Sequence, residues 1–267
     1  MQLGSAPTSL PQLNRRGDSL SRNSPPDFSK HWWDPGVVVD SISGEITQSS
    51  ILGIIGGGGY GREVLPIAQH SLGVVPNAGS HERIFFVETH PVAREIHKVP
   101  VVSEEEFLSM DCDNRFFNIA IADSSVREAI ARRMTSRGAI PYSLAASSAD
   151  ISGSSQVAPG AIFSPFTSVT ADTRIGAFFH ANMYSYVAHD CVVGDYVTIG
   201  PRVSINGNVH IEDHVYIGTG AVIRQGSKGA PVVIGRGAFI GMGALVSSSV
   251  PAGKVMIGYP AREMPAS

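Results

Sequence analysis

Cysteine is scarce: the 267 residues hold only Cys112 and Cys191, far apart and in no metal-ligand spacing, which excludes a disulfide framework and a cysteine-held metal. Charge is scarce as well. With 16% charged residues and a net charge of −3, there is no surplus of Lys and Arg to neutralise a phosphate backbone, so nucleic acid is excluded as a partner. No apolar run approaches the roughly 20 residues of a membrane helix, and the N-terminus lacks the compact basic and apolar blocks of a signal peptide. These absences give the expectation of a cytoplasmic protein with small-molecule partners, no membrane insertion and no metal. What remains is ordinary for a folded chain: 43% apolar residues and a length that suits two modest domains.

Residues 1–50 are rich in Ser, Pro, Asn and Asp without an apolar period, and the expectation is a disordered N-terminal extension. Its Trp32 and Trp33 either pack loosely in that tail or dock on the folded body or a partner chain. From Ile51 the texture changes. Ile51 to Ile55 reads as a short strand that runs into Gly56-Gly57-Gly58-Gly59-Tyr60-Gly61 and then a helix from Arg62 to His70. Further strands are expected at Ile84–Val87, ending in Glu88, and at Phe116–Ala122, ending in Asp123. The Ser103/Glu106 and Ser125/Glu128 spacings predict capping boxes on the helices that follow. Strands alternating with helices over 51–146 make a small parallel, Rossmann-like α/β domain.

From 147 to 267 an internal period of six governs the chain. Apolar residues stand at every sixth position from Ile151 to Ile223, all Ile or Val except Phe163 and Ala181, and the period resumes at Ile234, Ile240 and Val246. The next residue is often Gly (176, 194, 200, 218, 235, 241) or Asn (182, 206), types that accept positive φ at a corner. Each hexapeptide is then one strand and one turn. Three of them close an eighteen-residue triangular coil, and successive coils stack at about 4.8 Å. The fold expected is a small α/β domain followed by a parallel β-helix of about five coils, with Arg224–Pro231 an external loop that either covers a ligand or is simply exposed.

This hexapeptide run, followed by Val250-Pro251-Ala252-Gly253-Lys254 and Gly258-Tyr259-Pro260-Ala261-Arg262, resembles the left-handed β-helix acyltransferases. With the glycine turn after Ile55 and the segment Val187-Ala188-His189-Asp190, it is similar to the nucleotide-sugar acetyltransferases of sialic acid, bacillosamine and perosamine pathways. The resemblance implies acetyl-CoA as co-substrate, a homotrimer with active sites between neighbouring β-helices, and N- or O-acetylation of a nucleotide-linked sugar for surface glycan or sialic acid biosynthesis. His189 is the candidate general base, being the side chain suited to neutral pH; a solvated surface histidine is the alternative. The resemblance pairs it with Asp190, a contact that needs corner geometry. Gly207 lies eighteen residues on, one full coil, so it stands beside His189 as an oxyanion donor or as a mere turn.

Gly56, Gly58 and Gly61 fit a phosphate-binding turn between strand and helix. The resemblance assigns substrate contacts to Gly58, Gly59 and Tyr60 and a nucleoside contact to Glu88, with Asp123 a further candidate. It also implies acetyl-CoA contacts at Thr198, Gly207, Thr219 and Met242. Thr198 departs from the family, which often has a second His there. His180, His210 and His214 read as surface residues, and their spacing does not match the zinc ligands of β-helix carbonic anhydrases. Two rival functions remain: a hexapeptide acetyltransferase acting on a free sugar or small alcohol or amine, and a non-catalytic β-helix that binds nucleotide or protein. The glycine turn argues against the first and the His189-Asp190/Gly207 spacing against the second.

Overall fold

The computed structural model describes residues 47–73 and 83–265. The expectations for residues 1–46, Trp32 and Trp33 included, lie outside the described residues.

β1 (Ile51–Ile55) is buried at all five positions, as an apolar run covered on both faces must be. It leads into α1 (Gly59–Ser71) and then β2 (Ile84–Glu88). β3 (Glu95–Ile96) and β4 (Val99–Ser103) form an antiparallel pair that the sequence did not announce. Their turn puts His97 at φ 50° and Lys98 at φ 64°, a conformation normally signalled by Asn-Gly. α2 (Glu104–Ser109) begins at the expected capping box, Ser103 Oγ accepting from Glu106 N while the Glu106 carboxylate accepts from Ser103 N. β5 (Arg115–Ile119), α3 (Ser124–Ser136) and β6 (Ile140–Pro141) complete the unit. The second expected box, Ser125/Glu128, does not form. Asp123 is the N-cap instead, its Oδ1 accepting from Ser125 N and Val126 N at 2.9 Å, because an anionic acceptor suits the positive helix end better than a hydroxyl. The strand order is β3-β4-β2-β1-β5-β6. It reverses about β1, which opens a crevice at the C-terminal ends of β1 and β5.

From Leu144 onward the strands are two or three residues long and lie on three faces, a first starting at Leu144–Ala145, a second at Asp150–Ile151 and a third at Gln156–Val157. Up to Ile223 strands pair in parallel eighteen residues apart: Tyr186–Val187 lies between Ser168–Val169 and Ser204–Ile205. This is the left-handed β-helix. The hexad residues point inward, with Val157 through Ile223 no more than 5% exposed, and they share one core with Ile234, Ile240 and Val246. A second inward row two residues earlier, including Phe179, Cys191, Val197, Val203 and Val209, follows from the twofold alternation within each strand.

The corners correct the sequence reading. Positive φ falls two residues beyond the Gly or Asn position, at Phe166, Phe178, Tyr184, Asp190, Tyr196 and Asn208 among others. The Gly and Asn position is instead pressed against the next coil. A Cβ at Gly176 would stand 2.4 Å from the Gly194 carbonyl carbon, and Asn182 and Asn206 donate from Nδ2 to Ile199 O and Ile223 O at 2.9 and 2.8 Å. Contact between coils, not backbone handedness, selects those residues. Arg224–Pro231 is the expected external loop, closed by the Ser227/Ala230 bridge.

Candidate active site

At the crevice, the glycine turn is shaped by two of its members. Gly56 has φ 101°, a conformation that L side chains rarely adopt. A Cβ on Gly61 would stand 1.9 Å from Gly56 O, so helix and strand meet only over a bare Cα. Gly58 is the N-cap of α1 and supplies no side-chain cap, while Gly58 and Gly59 face open space. The first N–H groups of α1 are therefore left for an anion. Glu88 braces the turn: its Oε1 accepts from Gly57 N at 2.6 Å. Tyr60 turns its phenol inward against His180, ring centroids 5.2 Å apart, so its backbone is what it offers to a ligand. Burial pushes the Tyr60 hydroxyl well above its usual range, with Ser164 opposing part of the rise.

The seam between the α/β unit and the β-helix holds what the sequence reading missed. His180 is not a surface residue: it is 1% exposed and its Nε2 donates to Ile119 O at 2.9 Å, because its strand faces β5 rather than water. His214 is half-buried, 3.3 Å from Glu128 and stacked on Tyr196, whereas His210 is exposed as expected. Arg127 is fully buried. Its Nη1 donates to Ile121 O and Ala122 O, and its Nη2 to Tyr196 O and Thr198 Oγ1 at 2.5 and 3.0 Å. One sequence signal pointed there: Arg127 stands on the buried stripe of α3 with Ile130, Ala131 and Met134, where an unbonded cation would be prohibitive. Burial lowers the guanidinium to about 10.

Burial, and then the nearby Arg127 charge, hold His180 well below the ordinary histidine value. The unfolded chain takes up that proton near pH 6.5, so between the folded value and about 6.5 the unfolded state binds more protons. Stability is complete above that window and falls as pH drops through it, by up to about 1.4 kcal/mol per pH unit. We predict that lowering pH from 7.5 to 5 reduces the thermal midpoint of the wild type more than that of His180→Gln, which keeps a donor for Ile119 O. Equal losses would show that His180 carries none of the acid sensitivity.

On the corner between the second and third faces, Asp190 takes φ 57°. That kink lets neighbouring side chains meet, and His189 Nδ1 lies 2.7 Å from Asp190 Oδ2. A carboxylate only accepts, so Nδ1 carries a proton, and in the neutral imidazole it is Nε2 that has the lone pair. Both side chains are about half exposed, 50% and 55%. One coil on, the ring covers Gly207: a Cβ there would stand 2.5 Å from His189 Cε1 and 2.6 Å from Nε2. Gly207 O accepts from Gly226 N, while among the described residues its N–H meets no acceptor. Cys191 beside them is a packing residue, its thiol pushed up to about 11 by burial.

Thr219 and Met242 lie on adjacent coils of a different corner, between the first and second faces, where Thr219 O accepts from Gly243 N; Met242 is 82% exposed. Thr198 lies on the first face, 5% exposed. One chain thus brings His189, Asp190 and Gly207 together but holds Thr198, Thr219 and Met242 away from them. Among the described residues no group of three or more His, Cys, Asp or Glu is arranged to hold a metal, and no helix is long and apolar enough to cross a membrane.

An acid-tethered imidazole with a free Nε2, packed on a glycine of the next coil, can relieve a nucleophile of its proton beside a carbonyl, and on this scaffold that chemistry defines a hexapeptide-repeat acyltransferase. Known proteins agree. Residues 172–207 and 190–225 match the bacterial transferase hexapeptide (six repeats) family, and residues 51–134 match the PglD N-terminal domain. The chain is 42% identical over 215 residues to the GDP-perosamine N-acetyltransferase of Escherichia coli O157:H7, covering 80% of this chain and 96% of that protein. WeeI from Acinetobacter baumannii AYE superposes with a TM-score of 0.77 at 42% identity, over 80% of this chain and 100% of that one. PerB from Caulobacter crescentus, solved with CoA and GDP-perosamine, does so with a TM-score of 0.70 at 25% identity, over 81% and 98%. The chain belongs to the nucleotide-sugar N-acetyltransferases of this scaffold and is an acetyl-CoA-dependent sugar acetyltransferase.

Proposed function

We propose that the protein transfers acetyl from acetyl-CoA to the amino group of a GDP-linked 4-amino sugar of the perosamine type. The observation that carries the chemistry is His189 Nδ1 tied to Asp190 at 2.7 Å with Nε2 left over Gly207. The GDP-perosamine relative supports the acceptor. As the sugar amine attacks the thioester carbonyl, forming the C–N bond, His189 Nε2 takes the amine proton and Asp190 stabilises the imidazolium. Gly207 N–H donates to the carbonyl oxygen as it becomes an oxyanion. Collapse breaks the C–S bond and releases CoA, its thiolate taking the proton from His189. The turn at Gly56, Gly58, Gly59 and Gly61 holds the diphosphate on the N-terminus of α1, and the Tyr60 backbone, Glu88 and Asp123 flank the nucleoside side of the crevice.

Thr219 and Met242 contact acetyl-CoA in this reading, and their position on a corner away from His189 favours a homotrimer in which one copy's corner meets its neighbour's. The division into an extension over 1–50, a nucleotide-sugar domain over 51–146 and a β-helix domain over 147–267, and a cytoplasmic location, complete the proposal. The test is thiol release from acetyl-CoA across GDP-, UDP- and dTDP-linked amino sugars, free amino sugars and sialic acids. Turnover confined to a GDP-linked 4-amino sugar is expected. Activity on free sugars or hydroxyl acceptors alone would sink the reading, and silence across the whole panel would favour a binding protein.

A further inference from the structure

The amide that carries the Gly207 N–H is held from its flanks. Among the described residues neither Asn206 O nor Gly207 N takes part in a backbone hydrogen bond, so the ladder between coils fixes this unit at neither end. A peptide is planar, and the direction of Asn206 O therefore sets the direction of the Gly207 N–H. Turning that plane needs only opposed rotations about the Asn206 Cα–C and Gly207 N–Cα bonds, and a residue without a Cβ resists them least. The anchors that oppose such a turn lie on Asn206. Its backbone N and its Nδ2 both donate to Ile223 O, at 3.3 and 2.8 Å. Ile223 O only accepts, so Nδ2 faces it and Oδ1 is left to accept from the Tyr186 hydroxyl at 2.9 Å. Tyr186 reaches Asn206 from the second face of the preceding coil. The packed Cys191 thiol donates to Asn206 O at 3.3 Å, and burial keeps that thiol protonated at neutral pH. Past the glycine, Gly207 O is tied to Gly226 N at 2.9 Å. The Tyr186 bond is no requirement of coil stacking: Asn182 makes the same donor bond to Ile199 O at 2.9 Å without a partner for its Oδ1 among the described residues.

We propose that Asn206 is a positioning residue for acetyl transfer, locked by the Tyr186 hydroxyl so that the amide between residues 206 and 207 keeps its plane and the Gly207 N–H stays aimed at the carbonyl oxygen. The inference rests on the acetyl-transfer reading and deepens it. Neither side chain touches the reacting atoms; both act through the direction of a donor. Hydrogen bonds weaken steeply away from linearity. A donor that must reorganise as charge develops also stabilises the transition state less than one already in place. The base is aligned by other contacts, its ring by Asp190 Oδ2 and its backbone O by Asn208 N. The proton acceptor and the oxyanion donor of one corner thus depend on different side chains, Asp190 for the first and Asn206 with Tyr186 for the second.

The test uses the full chain and initial rates with acetyl-CoA and the accepted nucleotide sugar varied separately, across pH and well below each variant's thermal midpoint. Tyr186→Phe keeps the ring and removes only the hydroxyl; it is expected to lower kcat about three- to tenfold, a part of what losing an oxyanion donor costs. Asn206→Ala should lower it about ten- to thirtyfold, again less than the whole donor. Both KM values should stay within about twofold, the mark of an interaction made only in the transition state. The pH profile of kcat should fall in height without moving along the pH axis, because His189 is untouched. Adding Tyr186→Phe to Asn206→Ala should cost nothing more, since the hydroxyl acts through that side chain. Wild-type kcat in both single variants would overturn the proposal, as would a shifted pH profile, a raised KM or losses that multiply in the double variant. The same assay on His189→Ala keeps the two levels apart: undiminished turnover there fails the acetyl-transfer reading itself, whereas an impaired His189→Ala beside unimpaired Tyr186→Phe and Asn206→Ala fails the positioning role alone.

Discussion

His189→Ala is expected to lower kcat/KM for acetyl transfer by roughly 10²–10⁴, the contribution of a positioned general base, while the thermal midpoint stays within a degree or two of wild type. The two halves of this result come from different properties of the residue. His189 is half exposed, and Asp190, its one side-chain partner among the described residues, is half exposed too, so removing the ring opens no cavity and strands no buried charge. Surface changes of that kind usually cost under about 0.5 kcal/mol. Losing the lone pair on Nε2 removes the group that takes the amine proton in the transition state. Asp190→Asn should cost less than His189→Ala, because water screens an exposed carboxylate and the amide oxygen still accepts from Nδ1. Thiol release and unfolding scans on the three proteins check both halves. Turnover untouched by His189→Ala would remove the base from the mechanism, and a collapsed midpoint would show that the ring is structural.

The β-helix half of the fold is legible because its geometry is local arithmetic. Eighteen residues make one coil, so the spacing between His189 and Gly207 in the sequence becomes contact in space, and the inward positions from Val157 to Ile223 follow without knowledge of anything distant. What the corners require was read wrongly. Gly176 and Asn206 look like residues chosen for positive φ, but the true positive-φ positions carry Phe178, Asp190 and Asn208. Gly160, Gly220, Gly237 and Gly243, with Asp190 and Asn208, are types that accept positive φ, whereas Phe178 is held there by stacking between coils, on Tyr196 at 5.5 Å, which no single-residue preference reveals.

The seam was illegible for a different reason. Its bonds join residues far apart in the chain: Arg127 to Thr198 spans 71 positions and His180 to Ile119 spans 61. A histidine in a hexapeptide strand reads as exposed until the domain that covers it is in place. The β3–β4 pair escaped because both residues of its turn, His97 and Lys98, lack the chemistry that normally signals such a turn. The chemistry of the corner was therefore visible in the sequence, whereas the bonds that join the α/β unit to the β-helix were not.

Gly207→Ala is the second large effect, and it acts through the position of the His189 ring. The added Cβ would stand 2.5–2.6 Å from His189 Cε1 and Nε2, well inside van der Waals contact, and the ring is the part able to move. Gly207 shows no positive φ, so backbone strain is not part of the cost, and the half-exposed imidazole has water to swing into. The hydrogen bonds of the coil on either side, Asn208 N to His189 O and Gly226 N to Gly207 O, do not involve the side chain and should persist. The expected result is a fall in kcat of about 10²–10³, similar to losing an oxyanion donor, because the displaced ring no longer faces the amine and covers the approach to the Gly207 N–H. KM for the nucleotide sugar should change little, since its binding crevice lies in the α/β domain. Adding His189→Ala on top of Gly207→Ala then distinguishes the causes. If displacement of the ring is the whole effect, the double variant is no worse than His189→Ala alone, since the alanine at 207 keeps its N–H and no ring remains to cover it; a further loss of about tenfold would show that the added Cβ itself obstructs the approach to that N–H. Wild-type turnover in Gly207→Ala would show that the packing of the ring on residue 207 does not matter to the reaction.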